Sequence, residues 1–230
     1  QVAISEKPDI IAGKILEGRV AICVDGSPVF LTLPYLVFED FQNSNDYYSN
    51  YIYVTLIRIV RLFGVLFATI VPGLYLSFRL YHYKLLPINL IITIANSTQN
   101  LPFTPLVELT FILLLFHMLY EVSLRLPQYL GLATSIVGAL ILGDTGVKAG
   151  LISPPGVIII ALSIISIYTV PNQASQMNVL RIVFLALGAM FGILGIMAGT
   201  MYVINYLSTL TEYTAPYLAP YGPKNYSDLK

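Results

Sequence analysis

The sequence predicts an all-α membrane protein: a polytopic transmembrane helix bundle of about four to five spans plus an interfacial or re-entrant helix, preceded by a short β-hairpin. Two observations predict it. Long apolar runs occupy roughly 51–78, 103–124, 129–148, 155–170 and 177–208, and a bilayer core about 30 Å thick takes about 20 apolar residues per helix. Hydrophobic residues make up 57% of the chain and charged ones 10%, with a mean hydropathy of +0.77. Soluble domains do not reach that balance.

Residues 1–14 read as polar chain without a signal-peptide pattern. The start at Gln1 carries the expectation that this is the C-terminal portion of a longer protein. Val20, Ile22 and Val24, then Asp25-Gly26-Ser27-Pro28, then Val29 to Leu33 predict a hairpin, because an Asp-Gly turn joins two β-rich runs. Tyr35, Leu36, Phe38 and Phe41, interleaved with Glu39, Asp40 and Asp46, predict a short amphipathic helix at the interface over 35–50. The first span follows from Tyr51 to Phe78, and Pro72 predicts a kink near Ile70–Val71. The apolar stretch Leu85–Ala95 is too short to span and reads as an interfacial or re-entrant helix. Pro102 and Pro105 open a helix that runs to Leu126 and stops at Pro127. Gly131–Lys148 is the next span, closed by Gly150, and Leu151–Pro155 leads into a span ending at Pro171. In the last span, Gly188, Gly192, Gly195 and Gly199 form two small-xxx-small pairs, read as close helix packing or as a gating hinge. The domains expected are 1–50, the end of a soluble domain with hairpin and linker; 51–210, transmembrane helical; and 211–230, an extended tail.

Charge narrows the function. Twelve basic and twelve acidic residues balance to zero, so no basic face for nucleic acid is expected. Cys23 is the one cysteine, and His82 and His117 are the two histidines, so no metal site and no cofactor are expected. No nucleophile–base motif stands out, and no catalytic residue and no enzyme activity are expected. The seventeen tyrosines suit membrane interfaces, and lipid is the expected surround. Basic residues after the first span (Arg79, Lys84) and in what read as later loops (Arg125, Lys148, Arg181) leave orientation undecided.

A charge at the bilayer centre costs roughly 2.5–3.5 kcal/mol on insertion scales, so each one needs a reason. Arg58 and Arg61 share one helix face and either snorkel or contact another helix or subunit. Glu108, in a helix first turn, is either an interfacial carboxylate favoured by the macrodipole or one of a ring of carboxylates from several subunits. His117, Glu121 and Arg125 form one stripe, a neutralised seam or a polar wall facing a pore or gate. Thr134, Gly138, Thr145 and Lys148 mark a small and polar stripe on the following helix, where Asp144 and Lys148 are an i, i+4 pair. The candidate pore or gating residues are therefore Glu108, His117, Glu121, Arg125, Thr134, Gly138 and Thr145. The candidate helix or subunit contacts are Arg58, Arg61, Asp144, Lys148 and the four glycines of the last span.

Five stretches resemble one family. They are Glu17–Ile22 with Val24–Pro28; Asp46-Tyr47-Tyr48 with Arg58 and Arg61-Leu62; Leu101-Pro102-Phe103 with Val107-Glu108, Glu121 and Arg125-Leu126-Pro127; Ser135–Leu140 with Gly143 and Ala149–Pro154; and Pro171-Asn172 with Pro216–Pro220. In order and spacing they resemble the A subunit of GerA-type spore germination receptors over about residues 15–222. Cys23 and Asp144 depart from the pattern, and the second weakens transfer of a charged-stripe reading. The resemblance implies a multi-pass protein of the inner membrane of a bacterial spore. It implies a homo-oligomer of A subunits forming a nutrient-gated ion channel, with a transporter-like B subunit and a lipoprotein C subunit as partners. The alternatives are a non-conducting scaffold or signalling subunit of the same complex, and a secondary transporter, which would need an inverted repeat that the sequence does not display.

Overall fold

A computed structural model describes residues 2–43, 46, 48–99, 101–127, 131, 136–138, 140–212 and 215–218. The chain divides into two compact units, Gln1–Phe63 with Thr200–Lys230, and Gly64–Gly199.

The first unit begins with β1 (Ala3–Ser5) and α1 (Pro8–Leu16), two elements that the sequence reading, which saw polar chain here, does not foresee. Pro8 sits in the first turn of α1, where its missing N–H costs nothing, and Gly18 closes the exit at φ 88°. β2 (Val20–Cys23) and β3 (Phe30–Leu33) form the expected antiparallel hairpin, with Val20 opposite Leu33 and Cys23 opposite Phe30. Gly26, at φ 79°, makes the turn. β1 adds to the other edge of β3, giving the order β1-β3-β2. The amphipathic helix expected over 35–50 is replaced by a 3-10 turn, Val37–Phe41. Its polar residues are spent on tertiary contacts: Glu39 pairs with Lys14 and Arg19, and Tyr35 donates to Asp40. In the tail, β4 (Thr211–Glu212) pairs with β5 (Ala215–Pro216), and Tyr217 packs with Ala3 and Tyr35; residues 213–214 and 219–230 lie outside the described set.

The helices follow. α2 (Tyr51–Thr69) and α3 (Val71–Leu80) are separated at Ile70, where Pro72 predicts the break. α4 (Ile88–Thr98) is eleven residues long, short of a span. α5 (Pro105–Arg125) opens on proline and ends before Pro127. A π-helical turn, Ile141–Thr145, runs into α6 (Gly146–Lys148), and Gly150 at φ 67° ends it. α7 (Pro154–Ile167) has fourteen residues, so the run 155–170 is shorter than a full span. α8 (Ala174–Thr209) completes the set. Among the described residues, three helices are long and apolar enough to cross a membrane: Tyr51–Thr69, Pro105–Ser123 and Pro171–Thr209. This is a membrane protein.

α8 departs from the single span expected. Gly192 has φ 63° and ψ −144°, which is not helical. A Cβ on Gly199 would stand 2.8 Å from Leu187 and 3.0 Å from Phe184. In a straight helix, residues 184 and 199 lie about 22 Å apart. The chain after Gly192 therefore folds back on the helix before it as far as Gly199, and the helix before the turn (174–191) is about 27 Å long, close to the thickness of a bilayer core.

The second unit packs around Leu76, Leu109, Ile112, Ile152, Ile160 and Leu185, drawn from α3, α5, α7, α8 and the Ile152 loop. Gly73 and Gly188 bring the α3 and α8 backbones into contact, since a Cβ on either would strike the other helix's main chain.

Candidate functional site

Two buried charges organise the second unit. Glu108 stands in the first turn of α5, and its residue is 0% exposed. Arg79, in the last turn of α3, donates from Nη1 to its Oε2 at 2.6 Å. Ser153, the N-cap of α7, donates its backbone N–H to Oε1 at 2.9 Å and its hydroxyl to the same oxygen. That hydroxyl oxygen also accepts from the Gly156 N–H at 3.2 Å. A side chain at Gly156 would begin 2.9 Å from Glu108 Oε1, so the glycine permits the approach. One carboxylate thus ties three helices, each of its oxygens occupied, as a buried charge requires.

The other is Arg181, which is not in a loop but inside α8, where it is 2% exposed. Its Nε donates to the Ala68 carbonyl at 2.9 Å and its Nη2 to the Ser163 carbonyl at 3.1 Å. The Ser163 hydroxyl donates to the same Ala68 oxygen at 2.7 Å. Ala68 is available because the residue four positions on is Pro72, which has no N–H to give it. The proline break and the buried arginine are two halves of one arrangement.

A third cluster lies in the first unit. Asp46 receives two hydrogen bonds from Arg61, at 2.7 and 2.9 Å, and lies 3.5 Å from Arg58 Nε. Arg61 also donates to the Phe41 carbonyl at 2.7 Å. The hydrogen bond from Arg61 holds the Asp46 carboxyl below its ordinary 3.8, against the opposing effect of burial. A depressed carboxylate stabilises the fold above the unfolded value and loses that contribution as pH falls through the folded one. Asp46→Asn should therefore destabilise the full-length protein by roughly 1.5–3 kcal/mol at neutral pH. Thermal melts of the two proteins should converge below about pH 3.8. An equal gap at neutral and acid pH would refute the ionic role.

The remaining candidates are distributed. Glu121 and Arg125 form their i, i+4 pair at 2.7 Å, with side chains 53% and 78% exposed. Asp144 and Lys148 do the same at 2.8 Å, also exposed, beside an exposed Thr145. His117 lies beside Tyr120, with the rings tilted and their centroids 6.3 Å apart, and lines a pocket with Arg181. Gly138 is buried, with Leu119 of α5 2.5 Å from where its Cβ would be, so it packs against a helix rather than lining an open face. Gly188 packs on Gly73, Gly195 lies beside the Leu187 carbonyl, Gly199 beside Phe184 and Leu187, and Gly192 makes the turn. Thr134 lies outside the described residues. Glu108 is thus buried between helices, whereas Glu121, farther along α5, is exposed. Sequence reading missed Arg79, Ser153, Ala68, Ser163 and Asp46 as partners; Ser153 before Pro154-Pro155 carries an N-cap signal, and the others leave none at short range. Among the described residues no group of three or more His, Cys, Asp or Glu is placed to hold a metal.

The family model described as Bacillus/Clostridium GerA spore germination protein matches residues 1–230. The chain belongs to the GerA family. Among relatives of this GerA chain, the uncharacterized membrane protein YfkQ of Bacillus subtilis is 36% identical over 232 residues, covering 100% of this chain and 45% of the relative. Spore germination protein KA of Bacillus subtilis is 36% identical, over 95% of this chain and 41% of the relative. Spore germination protein GerQA of Bacillus cereus is 35% identical, over 98% and 46%. The GerA chain spans a little under half the length of these relatives. No solved structure matches it.

Proposed function

We propose that this chain is the membrane portion of the A subunit of a spore germinant (nutrient) receptor, and that copies of it assemble into a ring that conducts ions when nutrient is bound. Membership of the GerA family and relatives named as spore germination proteins support the receptor role. In this reading the chain works in the inner spore membrane with a transporter-like B subunit and a lipoprotein C subunit, and carries signal and ions rather than catalysing a reaction. The domain division proposed is 1–50 as the end of a soluble domain, 51–210 as the membrane domain and 211–230 as the tail.

One observation carries the conducting role. Glu121–Arg125, at the end of α5, and Asp144–Lys148, on the π-helical turn and α6, leave four charged side chains exposed. Exposed charge is costly against lipid and inexpensive against water or another copy of the chain. Glu108, sealed against Arg79, is a structural tie in this reading, and Glu121 and Asp144 take its place beside the ion path. A scaffold role is favoured by the fact that both exposed pairs are already neutralised within one chain.

Ion flux from liposomes carrying the full-length protein with its receptor partners distinguishes the two. Glu121→Gln should change cation preference by about fivefold, the factor for roughly 1 kcal/mol between a carboxylate and a cation about 4 Å away in water. Unchanged flux and selectivity in Glu121→Gln and Asp144→Asn, with assembly intact, would leave the scaffold.

A further inference from the structure

We infer that the pocket at Arg181 binds a phosphate-type oxyanion. The two buried charges of the second unit are treated unequally. Glu108 has a guanidinium against it. Among the described residues, Arg181, 2% exposed, is held only by the neutral carbonyls of Ala68 and Ser163, and none of the ion pairs there involves it. The two carbonyls engage its Nε and Nη2. An uncompensated buried cation is costly in protein and more so within a membrane.

The surroundings indicate what compensates it. Arg181 lines a pocket between α5, α7 and α8. The same pocket is lined by His117, Tyr120, Tyr168 and Asn178, all bearing hydrogen-bond donors. Asn178 lies three residues before Arg181, on the same helix face. Among the described residues, no acidic side chain lines it. A pocket rich in donors around one fixed guanidinium suits an oxyanion with several acceptor oxygens. The two carbonyls preorganise the guanidinium, so little of its rotamer freedom is left to lose on binding.

The pocket also sits at a suitable depth. Arg181 is seven residues into α8, about 10 Å from the helix start. Tyr168 just follows the end of α7. The oxyanion thus enters at the end of the bundle where α7 finishes and α8 starts. Phe116 and Ile164 in the wall give an attached chain an apolar surface. The phosphate comes either from a lipid headgroup or from the aqueous phase.

Native mass spectrometry and thermal melting of the full-length, delipidated protein in non-ionic detergent test this. Three probes are added separately: phosphatidylglycerol, inorganic phosphate, and diacylglycerol, which has the chains without the phosphate. Saturable binding with a rise in melting temperature is expected for phosphatidylglycerol, for inorganic phosphate or for both, and not for diacylglycerol. Phosphatidylglycerol alone identifies the lipid headgroup as the source; a response to inorganic phosphate identifies the free anion. Asn178→Leu and His117→Leu, which leave the Ala68 and Ser163 contacts in place, should each weaken binding by about tenfold, the factor for one hydrogen bond to a charged group. Arg181→Gln should abolish it where the variant folds. Failure of both phosphate probes to bind the wild type, equal binding of diacylglycerol, or wild-type affinity in both Asn178→Leu and His117→Leu would overturn the inference.

Discussion

Arg79→Ala will destabilise the full-length protein by about 3–5 kcal/mol, because it leaves a buried carboxylate without its cation. Glu108 is 0% exposed and Arg79 supplies the one ion pair it has among the described residues. Removing the guanidinium costs far more than the pair contributes, since the remaining charge has no water to turn to. The partner substitution is informative. In Arg79→Met with Glu108→Gln, no charge is buried, and the glutamine carbonyl still accepts from the Ser153 N–H and hydroxyl. That double variant should recover most of the loss, as buried pairs replaced together commonly do. Thermal melts in detergent of wild type, both single variants and the double variant give the coupling directly. A single variant as stable as wild type, or a double variant no better than Arg79→Ala, would show that the pair is not what ties α3 to α5.

Gly192→Val should cost about 1–3 kcal/mol from backbone conformation alone, because φ near 63° with ψ near −144° is a region glycine reaches and branched residues do not. Sterics add to this. A Cβ there would stand 3.2 Å from both His82 and Tyr81. Tyr81 also donates its hydroxyl to the Ala189 carbonyl at 2.7 Å, an acceptor left near the end of the first half-helix by the turn. Gly143 is the control, with nothing within 4 Å of an added Cβ, so Gly143→Ala should stay within about 0.5 kcal/mol. Equal melting of the two variants would mean that the stretch 174–209 is not turned at Gly192 in the membrane.

What the sequence announces is local. The break before Pro72, the Asp-Gly hairpin and the i, i+4 ion pairs all depend on residues within a few positions of one another, and all are found. The long apolar runs give the class of fold because the thickness of a bilayer sets a length. The misreadings have physical causes. Residues 35–50 have a helical spacing of aromatic groups, but Glu39 and Asp40 are drawn to Arg19 and Tyr35, which a periodicity argument cannot see. Gly192 looks like its neighbours Gly188 and Gly195, and only φ separates a turn from a packing surface. Glu108 lacks a helical partner at i+4, yet its partners lie 29 and 45 residues away in sequence. Arg181 reads as a loop charge because its acceptors are backbone carbonyls, which carry no residue signature.

The acceptors of Arg181 also precede it along the chain, Ala68 by 113 residues and Ser163 by 18. During synthesis, a ribosome delivers the proline-freed carbonyl first, the serine second and the arginine last. The arginine then reaches a bilayer in which its receptors are already in place, and the insertion penalty, roughly 2.5–3.5 kcal/mol for a lone arginine, is offset on arrival. A chain beginning after residue 80 would present the same arginine to lipid with one receptor missing. Its last hairpin should then insert poorly, so the order of the segments is itself part of how the protein enters a membrane.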